Sequence, residues 1–265
     1  MCRHLAYLGP QATLRSVIID PPHGLYRQAW APRRQRYGTV NADGFGVGWF
    51  AAGEENPVRY RRAEPIWGDE SFADVARVTR SGALLAAVRC ATAGTALGPA
   101  SVAPFASGGW LFSHNGRIDG WPGSASGLAA TLPPAALLGL EARVDSALLW
   151  ALVLRRLHRG LGPADALAET VAALRVAGVT GRFNFMLADG RVIAATASGD
   201  TLWYRSGASG GTVVVASEPG DDEPGWAEVP DGSVVTARPG QVSVAELDAQ
   251  AAYIEHTEDG RITIR

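Results

Sequence analysis

The chain has 265 residues, of which 47% are hydrophobic and 19% are charged. This balance is typical of a globular protein and excludes a disordered one. The formal net charge is −2 and all 24 basic residues are arginine. Proteins that bind nucleic acid or an anionic membrane usually carry an excess of positive charge, which this chain lacks, so we expect neither as a partner.

Cysteine usage limits the chemistry further. Only Cys2 and Cys90 occur, which excludes a disulfide framework and favours a reducing compartment. Cys2 and His4 are not followed by a second pair of zinc ligands, so we expect no metal, and no cofactor is expected either. Residues 1–9 lack the regions of a signal peptide, and the longest apolar stretch, 147–154, is too short to cross a bilayer. These features predict a cytoplasmic protein.

The first part of the chain is predicted to form short strands separated by glycine-rich turns. An apolar, aromatic run at 45–52 and the segment 58–62 are two such strands. Residues 69–80 favour a helix, because their apolar side chains recur on or near one face. Residues 84–89 and 110–114 are predicted to be buried strands, each ending at a polar cluster.

The middle of the chain is predicted to be helical. Asp145 opens a run in which residues 147–154 are apolar on every side, so this helix must be covered on both faces. A second helix is predicted from about residue 163 to 177, with proline at its start and glycine just beyond its end.

The last third of the chain is predicted to return to strands. Residues 183–188 and 192–197 form the clearest hairpin, because they flank the turn dipeptide at 189–190. Three further strands are predicted to continue it as an antiparallel meander: 201–205, 212–217 and 233–237. Strands, then helices, then strands predict stacked layers within one domain, residues 1–265.

Cys2 directly follows the initiator methionine. Removal of Met1 would place the thiol and a free α-amine on the same residue. An α-amine has an ordinary pKa of about 7.7–8.0, so a useful fraction is neutral at cellular pH and can accept the thiol proton. That is nucleophilic catalysis with a built-in base. From its position alone, Cys2 could also be a small residue near the start of a buried strand.

Three polar clusters could serve such a nucleophile. Arg89 closes an apolar strand, where it could hold a carboxylate or be an ordinary surface arginine. Asn115 and Gly116 supply the side-chain amide and backbone N–H of an oxyanion hole, although Asn-Gly is also the strongest hairpin turn signal. Asp145 precedes the buried helix, where aspartate usually acts as an N-cap.

The glycine-rich segment 41–49 is a different kind of feature. It lacks the spacing of a phosphate-binding loop. Its glycines at 44, 46 and 48 alternate along a predicted strand, which predicts the close approach of another backbone or of a ligand.

Together these motifs resemble the class II glutamine amidotransferase domain of the N-terminal nucleophile hydrolases. The matching segments occur in order over most of the chain: Met-Cys at 1–2, NADGFGVGW at 41–49, Arg-x-Ala-Thr at 89–92, His-Asn-Gly at 114–116 and Asp-Ser at 145–146. The resemblance implies an α+β fold, a four-layer αββα sandwich with antiparallel sheets. It also implies that Cys2 attacks the γ-carbonyl of a glutamyl group, with Asn115 and the Gly116 N–H holding the oxyanion.

Substrate-binding residues are implied by the same resemblance. Arg89 would take the α-carboxylate of the glutamyl group, with Thr92 close by, and Asp145 would take the α-ammonium. His114 is expected next to the site, where it could orient Asn115. Water would then hydrolyse the γ-glutamyl thioester.

Three departures separate the chain from many members of that family. Ala93 stands where many have a histidine, and Arg3 follows the nucleophile where glycine is common. Residues 183–265 are predicted to complete the same fold rather than to form a synthase domain. An enzyme that delivers ammonia needs a second active site, so this departure favours hydrolysis.

Five segments narrow the resemblance to the branch of the family that acts in ergothioneine biosynthesis: 1–9, 28–33, 41–50, 216–219 and 226–230. This branch cleaves the γ-glutamyl amide of a hercynylcysteine sulfoxide conjugate and releases glutamate, so a small-molecule γ-glutamyl substrate is implied. The leaving group carries a trimethylammonium, for which Trp30, Tyr37 and Trp110 are candidate aromatic partners. A free-standing glutaminase or amidotransferase subunit, a hydrolase of glutathione-like peptides and an inactive binding scaffold remain as alternatives.

Overall fold

The computed structural model describes residues 2–38, 40–92, 95–207 and 211–247, together with two short strands nearer the C-terminus. Met1 and Ala93 lie outside the described residues. The strands, in chain order, are β1 (Arg3–Thr13), β2 (Phe45–Trp49), β3 (Val58–Arg62), β4 (Arg80–Val88), β5 (Phe105–Ser107), β6 (Trp110–Ile118), β7 (Gly181–Ala188), β8 (Ile193–Ala197), β9 (Trp203–Ser206), β10 (Val213–Ala216), β11 (Trp226–Glu228), β12 (Ser233–Arg238), β13 (Gln241–Glu246), β14 (Ile254–His256) and β15 (Ile262–Ile264). The α-helices are α1 (Leu14–Ile18), α2 (Leu25–Gln28), α3 (Glu70–Val78), α4 (Ser126–Ala129), α5 (Pro134–Leu138), α6 (Asp145–His158) and α7 (Pro163–Val176).

The strands form two large antiparallel sheets. The seven-stranded sheet has the order β11-β9-β10-β1-β4-β2-β3, and the six-stranded sheet has the order β13-β12-β8-β7-β6-β5. β1 lies near the middle of the first sheet, between β10 and β4. β14 and β15 pair separately. The chain start is therefore held in a central strand rather than at a sheet edge.

Three apolar cores separate four layers. Leu8 and Met186 belong to the core between the two sheets. Ile18 and Phe72 place α1 and α3 on the outer face of the seven-stranded sheet. Leu149 belongs to the core between α6, α7 and the six-stranded sheet. This αββα arrangement with antiparallel sheets confirms the predicted fold class.

Local chemistry explains where several elements begin and end. The Asp69 carboxylate accepts the Phe72 N–H at 3.1 Å and so caps α3. α7 begins at Pro163, and the positive φ of Gly178 follows its last turn. The predicted helix at 147–154 is covered by α7 and by β6, as its apolar surface requires.

Two strand predictions are corrected by the structure. The strand predicted at 110–114 begins as predicted but continues to Ile118, so Asn115 and Gly116 pair with β7 and the alternative of a hairpin turn is excluded. The predicted meander does not form either, because β9 and β10 join the seven-stranded sheet whereas β12 pairs with β8 in the other. The strands are antiparallel as predicted, but they belong to two different sheets, because long-range packing between the layers decides which strands pair.

The alternating glycines of β2 mark a close backbone approach. A Cβ atom at Gly46 would overlap the carbonyl oxygen of Ala103. The sequence predicted that either another backbone or a ligand would approach these glycines closely, and at Gly46 it is a backbone.

No helix within the described residues is both long and apolar enough to cross a membrane.

Candidate active site

Cys2 lies immediately before β1, beside the end of β4. The register pairs Arg3 with Val88, which places Cys2 opposite Arg89. Residue Cys2 is half-buried, and its thiol accepts a hydrogen bond from the backbone N–H of Cys90. Burial raises the pKa of this thiol, while the Cys90 N–H and the Arg89 charge oppose that shift. Cys2 and Arg89, two of the candidate site residues, are thus neighbours.

Cys90 follows Arg89, and if the predicted strand continued through it, alternation would turn its side chain away from Arg89 into the core. In the structure Cys90 is only half-buried, and its backbone N–H donates to the Cys2 thiol. The reason is that β4 ends at Val88, so strict strand alternation no longer fixes the directions of the residues that follow.

Arg89 is a buried arginine rather than an ordinary surface one, with 8% of its surface exposed. Its Nη2 donates to Thr95 Oγ1 at 3.2 Å and to the carbonyl oxygen of Ala96 at 3.0 Å. Its Nη1 is buried and has no hydrogen-bond partner among the described residues. A buried donor of this kind needs an acceptor, and a substrate carboxylate would supply one.

Asn115 and Gly116 lie within β6, opposite Asn184 and Phe183 of β7. The Asn115 side chain is fully buried and its Nδ2 donates to Asp200 Oδ2 at 3.3 Å. A Cβ atom at Gly116 would overlap the carbonyl oxygen of Arg182, so only glycine fits this strand pairing. The amide and the glycine N–H are therefore held in a rigid strand, as a preorganised oxyanion site requires.

Asp145 is the first residue of α6 and does not cap it, because Val144 occupies the N-cap position. Its Oδ2 accepts the Ile118 N–H at 3.0 Å, and its Oδ1 accepts the Ser146 N–H at 2.7 Å. Only 8% of its surface is exposed. The carboxylate therefore joins the end of β6 to the start of α6, with backbone N–H groups holding its orientation.

His114 does not share a face of β6 with Asn115. Successive residues of a strand point to opposite faces, and His114 Nδ1 lies 3.0 Å from Ser146 Oγ on the helix side of the sheet. Its Nε2 lies 2.8 Å from the carbonyl oxygen of Arg182, to which it donates. Burial lowers the pKa of His114 and favours the neutral ring. The structure thus places it between β6, β7 and α6, away from the face that carries the Asn115 amide.

Arg3 and Asp200 form an ion pair beside Asn115 that sequence reasoning missed. Arg3 Nη2 lies 2.9 Å from Asp200 Oδ2, and neither side chain has exposed surface. The sequence marked Arg3 only as a departure from the family. Nothing local marks Asp200, because its importance depends on a partner 197 positions away.

A cleft of about 920 Å³ opens between the loop after Arg89 and the end of β6. Thr92, Thr95 and Ile118 line it, so it lies between the hydrogen-bond partners of Arg89 and those of Asp145. Thr92 is exposed at this cleft. Trp121 also lines the cleft and was not singled out from the sequence.

The three aromatic candidates are less well placed. Trp30 packs edge-on against Tyr26 and Trp67. The guanidinium of Arg182 covers one face of the Tyr37 ring at 4.4 Å. Trp110 begins β6, five residues before Asn115, which separates them by roughly 16 Å along the strand. Trp110 is therefore far from Asn115 and Gly116.

Within the described residues no group of three or more histidine, cysteine or acidic side chains could hold a metal ion.

Known proteins resemble this chain in sequence over most of its length. Residues 25–208 match the family of class II glutamine amidotransferases. Gamma-glutamyl-hercynylcysteine sulfoxide hydrolase from Mycolicibacterium smegmatis is 43% identical over 247 residues, covering 93% of this chain and 100% of that protein. The protein of the same name from Mycobacterium tuberculosis is 43% identical over 250 residues, covering 94% of this chain and 97% of that protein.

A solved structure extends the likeness to the fold. The glutamine aminotransferase class-II domain protein from Silicibacter pomeroyi superposes with a TM-score of 0.68 at 25% identity, covering 93% of this chain and 99% of that chain. The fold likeness and the family match agree. This chain belongs to the class II glutamine amidotransferases.

Proposed function

We propose that the chain is a γ-glutamyl amidohydrolase that converts γ-glutamyl-hercynylcysteine sulfoxide to hercynylcysteine sulfoxide and glutamate. The observation that carries this proposal is the 43% identity to the two mycobacterial proteins of that name, over nearly their whole length. The buried Arg89 and the rigid Asn115–Gly116 strand give independent support, since hydrolysis of a glutamyl amide needs a carboxylate anchor and an oxyanion site.

In the proposed mechanism, Met1 is removed and the α-amine of Cys2 takes the thiol proton. The sulfur adds to the γ-carbonyl carbon, and the Asn115 amide and the Gly116 N–H stabilise the oxyanion. The C–N bond then breaks, and the protonated amine gives its proton to the departing amine. Water adds to the resulting thioester and releases glutamate with the free thiol. The hydrogen bond from the Cys90 N–H to the Cys2 thiol, and the nearby charge of Arg89, support this placement of the nucleophile.

Substrate orientation is proposed to come from both charged ends of the glutamyl group. Arg89 Nη1, which is buried and unpartnered among the described residues, would donate to the α-carboxylate. Asp145 would accept from the α-ammonium, with Thr92 contributing from the exposed rim of the cleft. His114 is proposed to position β6 against α6, because its ring contacts Ser146.

The cleft has room for a substrate larger than glutamine, and its lining residues do not include Cys2 or Asn115. Its volume of about 920 Å³ is near the upper end of the range for small-molecule sites, about 300–1,000 Å³. Trp121 lines it and offers an aromatic ring to a trimethylammonium group, an interaction of roughly 0.5–2 kcal/mol. We propose Trp121 as the leaving-group contact, in place of Trp30, Tyr37 and Trp110.

Steady-state hydrolysis of three substrates tests the proposal: the hercynylcysteine sulfoxide conjugate, glutathione and glutamine. The conjugate is expected to have the highest kcat/KM. Replacement Trp121→Leu is expected to raise KM for the conjugate and to leave KM for glutamine unchanged. A wild-type kcat/KM for glutamine equal to that for the conjugate would instead favour a glutaminase, and a preference for glutathione would favour a peptide hydrolase.

Two broader features belong to the same proposal. We infer that residues 1–265 act as one domain, since the two sheets share a core to which β1, β8 and β12 all contribute. We also infer a reducing, cytoplasmic setting, in which both cysteines are free thiols.

A further inference from the structure

A buried polar network lies behind the Asn115 amide. Asp200 Oδ2 accepts two hydrogen bonds, from Arg3 Nη2 at 2.9 Å and from Asn115 Nδ2 at 3.3 Å. Asp200 Oδ1 accepts the Thr201 N–H at 2.8 Å. Both carboxylate oxygens are thus engaged, and the side chain has no exposed surface.

The backbone of Asp200 is fixed as well. Asn184 stands directly opposite Asn115 in the β6–β7 register. Its Oδ1 accepts the Asp200 N–H at 3.1 Å, and its Nδ2 donates to the Asp200 carbonyl oxygen at 2.9 Å. Asn184, the strand neighbour of Asn115, therefore holds the backbone of Asp200, whose carboxylate contacts the Asn115 side chain.

The contact with Asp200 decides whether Nδ2 or Oδ1 of the Asn115 amide faces the carboxylate. A carboxylate only accepts hydrogen bonds, so it attracts Nδ2 and repels Oδ1. One of the two Nδ2 hydrogens is given to Asp200, and the second remains for another acceptor. Asn115 Oδ1 is buried without a partner among the described residues, so it contributes nothing to hold the amide. The orientation of the amide depends on Asp200.

Arg3 makes this carboxylate compatible with the dry interior. An unpaired buried carboxylate is strongly destabilising, whereas a paired and hydrogen-bonded one is tolerated. Arg3 is adjacent to Cys2 in sequence, so the same ion pair links the start of β1 to the oxyanion strand. The ion pair thereby gives Arg3 a physical role beside Cys2.

We propose that Asp200 is a positioning residue that turns the Asn115 amide so that its second N–H points at the oxyanion, with Arg3 neutralising the charge. This inference rests on the proposed function of Asn115 as an oxyanion donor. Asp200 acts through Asn115 in the transition state, so its loss lowers kcat rather than substrate binding.

A double-mutant cycle tests the inference, with γ-glutamyl-p-nitroanilide and the sulfoxide conjugate as substrates. Asp200→Ala is expected to lower kcat by about 100-fold, the order of magnitude for loss of one oxyanion donor, with KM changed by less than about twofold. In an Asn115→Ala background the same change is expected to lower kcat by less than about threefold, because the residue it positions is already gone.

Two controls separate positioning from folding. Glu169→Ala removes the carboxylate that lies 3.6 Å from the largely buried Arg156 of α6, and it is expected to lower the Tm but not kcat. Arg3→Met/Asp200→Leu removes both charges together, which keeps the interior neutral. It is expected to fold and to lose kcat as Asp200→Ala does. Iodoacetamide should alkylate Cys2 at the wild-type rate in all these variants.

The results that would overturn the inference are distinct from those that would overturn the proposed function. Equal kcat losses for Asp200→Ala in the two backgrounds, a loss confined to KM, or full activity of the charge-balanced double variant would each refute the positioning role. Wild-type hydrolysis of the anilide without hydrolysis of the conjugate would refute only the proposed substrate. Hydrolysis of neither would refute both.

Discussion

Arg89 allows a quantitative test of substrate recognition. Thr95 and Ala96 hold its Nη2, whereas its buried Nη1 has no partner among the described residues. We expect Nη1 to donate to the substrate α-carboxylate. A hydrogen bond to a charged group contributes about 1.5–3 kcal/mol. At about 1.4 kcal/mol for each factor of ten, this corresponds to roughly 10- to 150-fold in kcat/KM.

The perturbation is Arg89→Met, assayed with γ-glutamyl-p-nitroanilide and with the 4-aminobutyryl anilide, which lacks the α-carboxylate. Wild type is expected to prefer the complete substrate by roughly 10- to 150-fold, and the variant is expected to lose that preference. The Arg89 charge also lowers the pKa of the Cys2 thiol. An equal loss of kcat/KM for both substrates would therefore report on the Cys2 nucleophile. Only a change in the ratio of the two kcat/KM values reports on binding of the substrate α-carboxylate.

The matched control is Arg77→Met, because Arg77 is an exposed arginine on α3 that pairs with Asp74 at the surface. It is expected to leave both substrates unaffected. If Arg89→Met kept the wild-type ratio of kcat/KM for the two substrates, the assignment of Arg89 as the carboxylate anchor would be refuted.

Three further predictions concern the nucleophile, pH and the oxyanion strand. Cys2→Ala should abolish hydrolysis with a near-wild-type Tm by calorimetry, and retained turnover would contradict the mechanism. Burial lowers the pKa of His4 to about 3, so below pH ~6.5 the unfolded chain binds more protons. Urea unfolding should therefore show stability falling as pH drops toward 3, by up to ~1.4 kcal/mol per unit from this group, and His4→Asn should reduce that slope. Gly116→Ala should lower the free energy of unfolding by about 1–3 kcal/mol and abolish hydrolysis, because the added Cβ meets the Arg182 carbonyl oxygen. Gly123→Ala should change neither, because nothing lies within 4 Å of its added Cβ.

Much of the fold could be predicted because its signals are local. The bounds of β3 agree with the predicted strand at 58–62, and α7 ends one residue before the predicted position. Apolar periodicity and the proline and glycine at helix ends are enough for such elements. The five ordered motifs predicted the family, and Arg89 and Asp145 prove to be buried next to one cleft.

The remainder depends on long-range partners. Asn115-Gly116 has the sequence of a turn, but pairing with β7 keeps it in a strand. Asp200 follows no recognisable motif, and its contact with Arg3 joins residues that are 197 positions apart. His114 was expected beside the substrate, yet strand alternation turns it toward Ser146. Each of these features is decided by the packing of layers, which a local pattern does not encode.

Intact-protein mass spectrometry of enzyme quenched during turnover tests the central claim most directly. Cys2 can use its own α-amine as the base only when Met1 has been removed. The account predicts a polypeptide that lacks Met1 and a second species heavier by one glutamyl acyl group, with the added mass on the Cys2 peptide. An active preparation that retains Met1, or an adduct on Cys90 instead, would contradict the account.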